Sequence, residues 1–250
     1  MPSDSRRRFR RPPTGLLLGL IGIVSVLWLA ATRQLALYIH PRYFTFTIVA
    51  AGLALVATVA AYALLPSQGH EGHEHAPAGA LRRRLGVAGR TAAGIGLVIA
   101  LLVLPPATLS SSTVQQRDLN AGVDTDTITL VGADPSGFAL RDWAALLADP
   151  ATAAAYAGRE ATLSGFVTPS PDGDPDVLYL ARFVVTCCTV DAQPVGIPVA
   201  VPAWADAYPV DGWLEVTGTF VSTTADGAAR VVLKPSALTP IDQPAQPYDF

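Results

Sequence analysis

The sequence is poor in lysine, sulfur and charge. Lys234 is the only lysine among seventeen basic residues, and Cys187 and Cys188 are the only cysteines. Two cysteines are too few for a disulfide scaffold or a four-cysteine zinc site. Charged residues fill 15% of the 250 positions, against about 25% in a typical soluble domain. Half of the residues are hydrophobic, and mean hydropathy is +0.37. That balance argues against a disordered chain, a nucleic-acid tail and a purely cytosolic enzyme. Histidine does not occur after His75, so the C-terminal half has no Ser/His/Asp set. No P-loop or dinucleotide fingerprint occurs, and no enzyme activity is expected.

What is present divides into two halves. Residues 1–104 carry eleven arginines against three carboxylates, a net +8. Residues 105–250 carry six basic residues against seventeen carboxylates, a net −11. A basic half and an acidic half point to two environments. The acidic half lacks the basic surface that a phosphate backbone requires, so no nucleic-acid partner is expected.

The basic half reads as a membrane domain, residues 1–106, with the lipid bilayer as partner. Three apolar runs mark spans near 14–31, 44–65 and 85–104. At about 1.5 Å per residue the second run reaches about 33 Å, enough for a bilayer core. The third is broken by Arg90, which would snorkel to the nearer headgroups. Ser5-Arg6-Arg7-Arg8-Phe9 resembles a twin-arginine export signal. The length of the first run, the lack of an Ala-x-Ala site before Tyr38 and the later runs favour an uncleaved anchor. Arginines crowd the N-terminus and residues 82–84. The positive-inside rule then places the N-terminus and the second loop in the cytoplasm of a bacterial cell, and the C-terminal domain outside.

Pro105-Pro106 ends the third run. Residues 107–125 read as a linker and 126–250 as a β-rich extracytoplasmic domain. Thr127–Val131 reads as a strand, and Leu140, Trp143, Leu146 and Leu147 share one face of a helix over Leu140–Tyr156. Alternating runs at Ala161–Thr168, Val177–Val185, Gly196–Val201, Trp213–Val221 and Ala229–Leu233 read as strands, with Asp226-Gly227 as a hairpin turn. Short strands with one helix predict a small OB-like barrel. The expected fold class is thus three transmembrane α-helices followed by an OB-like, β-rich domain.

Arg182-Phe183-Val184-Val185-Thr186-Cys187-Cys188-Thr189-Val190-Asp191-Ala192 resembles the signature of the YcgQ-type family of bacterial membrane proteins, described as permease subunits. The histidine-rich loop, Leu104-Pro105-Pro106, Leu109-Ser110-Ser111 and Pro247-Tyr248 carry the resemblance over nearly the whole chain. It implies an accessory role beside a separate multi-span permease partner and leaves the substrate open. The short histidine loop here has fewer histidines than some relatives of that family.

Two clusters offer metal chemistry on their own residues. His70, His73 and His75 sit with Glu71 and Glu74 in six residues. Imidazole and carboxylate suit zinc or another transition metal. The plainer reading is a polar connector. The spacing is not that of a helical His-Glu-x-x-His site. Cys187 and Cys188 form the second cluster. On a regular strand their side chains would face opposite ways. Thr189, Asp191, Pro194 and Gly196 favour a turn there, which would bring both sulfurs to one side near Asp191. The pair is then a strained vicinal disulfide suited to redox response, or two thiolates that hold a soft metal with Asp191. A structural reading has one core cysteine and an incidental neighbour. The two clusters would lie on opposite sides of a bilayer core about 30 Å thick, and so form separate sites. Pro171–Asp176 fails the calcium-loop pattern at Val177 and Phe183, and reads as an acidic hairpin loop.

The expected function is an accessory subunit of a two-component permease that captures a metal ion such as zinc outside the cell. The alternative is a membrane-anchored redox- or metal-sensing module without transport.

Overall fold

The computed structural model describes residues 14–64, 108–123, 134–225 and 228–250, with Gly89, Ala92, Gly94 and Gly96 between them. The chain divides into two compact units. One comprises Met1–Leu35 and Arg42–Pro106, the other Ala36–Pro41 and Ala107–Phe250.

In the first unit, α1 (Thr14–Ala31) and α2 (Phe44–Leu64) are apolar on all sides. The expectation of three spans is corrected here. Among the described residues one helix, Pro41–Ala61, is long and apolar enough to cross a bilayer, at 21 residues and a mean hydropathy of 2.1, with none of it buried. The apolar stretch Leu18–Ala31 of α1 is shorter. The third expected span, 85–104, lies outside the described residues apart from the four isolated positions.

The second unit is a mixed six-stranded sheet in which five strands close on themselves, and among the described residues it carries three short α-helices where the sequence predicted one. Its strands are β1 (Glu160–Pro169), β2 (Val177–Val184), β3 (Gln193–Ala200), β4 (Trp213–Ala225), β5 (Ala228–Ile241) and β6 (Tyr248–Asp249). Their order is β1-β4-β5-β3-β2-β6, and β1 also pairs with β2. Two contacts are parallel, β3 with β5 at Val199–Leu233 and β2 with β6 at Phe183–Tyr248. Neither is visible in local alternation, because the partners are distant in sequence.

Helix α3 (Ser111–Val114) is a single turn, and it is followed by α4 (Leu140–Ala148) and α5 (Pro150–Ala155). The single helix expected over Leu140–Tyr156 is therefore two. The residue before a proline is driven out of helical geometry, and Asp149 is extended at φ −99° and ψ 119°. Asp149 then caps α5, accepting the Thr152 amide proton at 2.8 Å, with Pro150 at a position where its missing N–H costs nothing.

α4 lays Leu140, Trp143 and Leu146 into the core, while Leu147 is only partly buried. The Trp143 ring lies 4.4 Å from that of Phe220 on β4 and 5.8 Å from that of Tyr156. Trp204 is also buried. A bulge between Thr217 and Gly218 lets the long β4–β5 hairpin bend. A Cβ at Gly218 would run into the Lys234 carbonyl and stand 2.9 Å from Pro235 Cα. Ala225 pairs with Ala228 across the tip; the Asp226-Gly227 turn and the strand expected at Thr127–Val131 lie outside the described residues. The acidic β1–β2 loop is held by Arg230, at 2.9 Å from Asp172 and 2.5 Å from Asp174.

Residues 108–123, in the stretch read as a linker, pack on the strands. Val114 and Ser111 are buried, and the Leu109 amide donates to the Tyr248 hydroxyl at 3.0 Å. Asn120 bonds both polar groups of Gly196, donating to its carbonyl at 2.9 Å and accepting from its amide at 2.8 Å.

Candidate metal centre

β2 ends at Val184, and the chain turns over residues 185–192 before β3 begins at Gln193. Val185 anchors the start of the turn as a buried side chain, and Ala192 anchors its end. Between them the backbone folds around one carboxylate. Asp191 accepts from the Thr186 amide at 3.1 Å, the Cys187 amide at 2.7 Å and the Cys188 amide at 3.4 Å. Its own amide donates to the Cys188 carbonyl at 3.0 Å. A short acidic side chain that satisfies nearby amides is what makes aspartate a turn former.

This turn breaks the alternation that would separate the cysteines. Their sulfurs lie 3.6 Å apart and are not bonded. Both sulfurs and an Asp191 oxygen lie within 4.8 Å of one another. Cys187 is exposed, and Cys188 and Asp191 are partly so. The three side chains named from the sequence are thus together. His70, His73 and His75 lie outside the described residues.

The electrostatics favour a protonated Cys187. Its hydrogen bond to the Asp191 carboxylate, then its contact with Cys188, push the thiol up to about 11. Partial burial works to raise the Asp191 pKa, but the hydrogen bonds from Cys187 and the turn amides outweigh it and hold the carboxyl below its ordinary value. The thiolate is the metal-binding form. A cation here must therefore displace a proton, and its affinity rises with pH.

Two supports were not evident in the sequence. Arg117 donates to the carbonyl of Ala192 and, at 3.2 Å, to that of Val190, clamping the turn from outside. Its place in an apparently polar connector gave no local signal of this. The second support is the segment Ala36–Pro41, from the connection between α1 and α2. Ile39 bridges Cys188 in antiparallel fashion, with the His40 amide donating to the Cys187 carbonyl at 3.0 Å and the Thr189 amide to the Tyr38 carbonyl at 2.9 Å. The cysteine turn is thus paired with residues some 150 positions earlier in the chain.

No curated protein matches the chain. Residues 16–120 match the model of the DUF1980 N-terminal domain, and residues 146–250 match that of the DUF1980 C-terminal domain. The first match includes all but the first two residues of α1, the whole of α2 and the Asn120 support, and the second includes all six strands and the cysteine turn. With both of its domains present and in order, the chain belongs to the DUF1980 family.

Proposed function

We propose that this protein is an accessory subunit of a two-component membrane permease, and that it captures a metal ion such as zinc outside the cell for a separate multi-span partner. The observation that carries the reading is the donor geometry of the cysteine turn. Zinc with Zn–S bonds of about 2.3 Å sets two sulfurs about 3.8 Å apart in a tetrahedron. Cys187 and Cys188 stand at 3.6 Å, with an Asp191 oxygen beside them. Two soft donors and one hard donor suit zinc and leave room for a further ligand. The exposure of Cys187 gives a cation access from solvent.

The membrane reading draws support from α2, whose large apolar side chains face outward, and from the N-terminal arginines. Residues 36–41 and 107–250 form one compact unit, so they lie on the same side of any membrane that α2 enters. Capture of a cation from outside the cell assigns that unit to the extracytoplasmic side. The protein acts by binding, without catalysis.

The test is zinc uptake by cells carrying the chain with a co-purifying multi-span partner. Cys187→Ser with Cys188→Ser keeps the side-chain size and removes the soft donors. Uptake should fall to the level of cells lacking the chain. Full uptake by the double variant would refute capture at this turn. Metal binding without a co-purifying partner would favour the sensing module instead.

A further inference from the structure

The cysteine turn supplies three ligand atoms, and a tetrahedral zinc site takes four. The segment paired with the turn carries the chain's one histidine among the described residues, His40. We infer that His40 is the fourth ligand, so that the cation clamps the α1–α2 connection to the cysteine turn. This rests on the metal reading of Cys187, Cys188 and Asp191.

Backbone pairing carries the argument. Ile39 lies opposite Cys188, and the flanking bonds join His40 to Cys187 and Tyr38 to Thr189. Opposed residues in an antiparallel pair hold their Cβ atoms about 4.5–5.5 Å apart. His40 and Cys187 therefore leave the backbone side by side. The imidazole is half-buried and lies edge-on to Phe250, with centroids 5.0 Å apart. The imidazole nitrogens are not among the ligand atoms that lie within 4.8 Å of one another, so ligation requires the ring to turn toward the sulfurs from its place against Phe250. Imidazole is a common zinc ligand, and with two thiolates it makes the donor set of known catalytic zinc sites.

The consequence is coupling. His40 stands four residues before α2 begins at Phe44. A ligand on that segment ties occupancy of the site to the start of an apolar helix. A metal bond would add to the backbone hydrogen bonds that join His40 to Cys187 and Tyr38 to Thr189.

Cobalt is the probe, used with the full chain in detergent. Tetrahedral cobalt gives intense visible bands, and thiolate ligands add a near-ultraviolet charge-transfer band that grows with their number. Wild type should show a tetrahedral spectrum with two thiolates. His40→Ala should weaken cobalt and zinc binding by more than about tenfold, the least that losing even a supporting group costs many metal sites. His40→Cys should restore binding with a charge-transfer band about half as large again, which a purely structural role for His40 would not produce. Unchanged affinity and spectrum in His40→Ala, with binding lost in the double cysteine variant, would overturn the inference and leave the proposed function standing. A His40→Cys variant that binds with the wild-type band would also overturn it. Unchanged binding in the double cysteine variant would remove the metal reading and this inference with it.

Discussion

The two units of the chain place the same kinds of residue in opposite surroundings. On α2, Phe46 is 74% exposed and Leu53 and Val56 are 67% exposed. In the C-terminal unit Leu146, Val167 and Phe220 are fully buried. A helix that is apolar all round needs an apolar solvent, whereas a sheet makes its own by folding over its inner face. Hydrophobic composition alone therefore says little about stability here. What matters is whether the apolar surface is covered by the chain itself, as in the C-terminal unit, or left exposed, as on α2.

The largest expected effect is in the covered core. Phe220→Ala should cost about 3–5 kcal/mol, whereas Phe46→Ala should shift unfolding of the C-terminal unit by less than about 0.5 kcal/mol. Urea unfolding of the detergent-solubilised chain, followed by tryptophan fluorescence, measures both. Equal losses would break the comparison.

Leu53→Arg probes the other side of it. An arginine at a helix centre disfavours insertion by about 2.5–3.5 kcal/mol, so the alkaline-wash-resistant fraction should drop while the C-terminal unit unfolds as before. A chain retained in full would show that α2 is not what binds the membrane.

Asn120→Ala should cost about 1–3 kcal/mol, because it leaves both polar groups of Gly196 without their partner. The same unfolding assay reads it. A change within about 0.5 kcal/mol would return residues 108–123 to the status of a linker.

The smallest effect on stability comes with a clear chemical signature. Asp191, and then Cys188, push the Cys187 thiol up to about 11, so its alkylation should quicken as pH rises. Asp191→Asn removes the leading cause of that shift. In a Cys188→Ser background it should speed alkylation of Cys187 at pH 8, as followed by mass spectrometry. Slower alkylation would mean that Asp191 does not hold the thiol protonated.

The comparison also marks what the sequence makes legible. Alternation locates the strands because burial on one face is a local property: the run at Ala161–Thr168 lies within β1, and Val177 opens β2. The turn at Cys187 was readable from Asp191 and Pro194, since turn chemistry is also local. The break at Asp149-Pro150 had a local signal too, but the helical stripe running through it obscured it. Pairings between distant segments left no such trace. Val199 with Leu233, Asn120 with Gly196 and Ile39 with Cys188 depend on how the whole unit closes. The three-span count does not hold because, among the described residues, one helix, Pro41–Ala61, is long and apolar enough to cross a bilayer.

Metal capture at the cysteine turn is the central claim, and X-ray absorption at the zinc edge of the zinc-loaded full chain tests it most directly. The account predicts two sulfur scatterers at about 2.3 Å with nitrogen or oxygen at about 2.0–2.2 Å, and loss of the sulfur shell in the double serine variant. A wild-type spectrum with nitrogen and oxygen alone would contradict it.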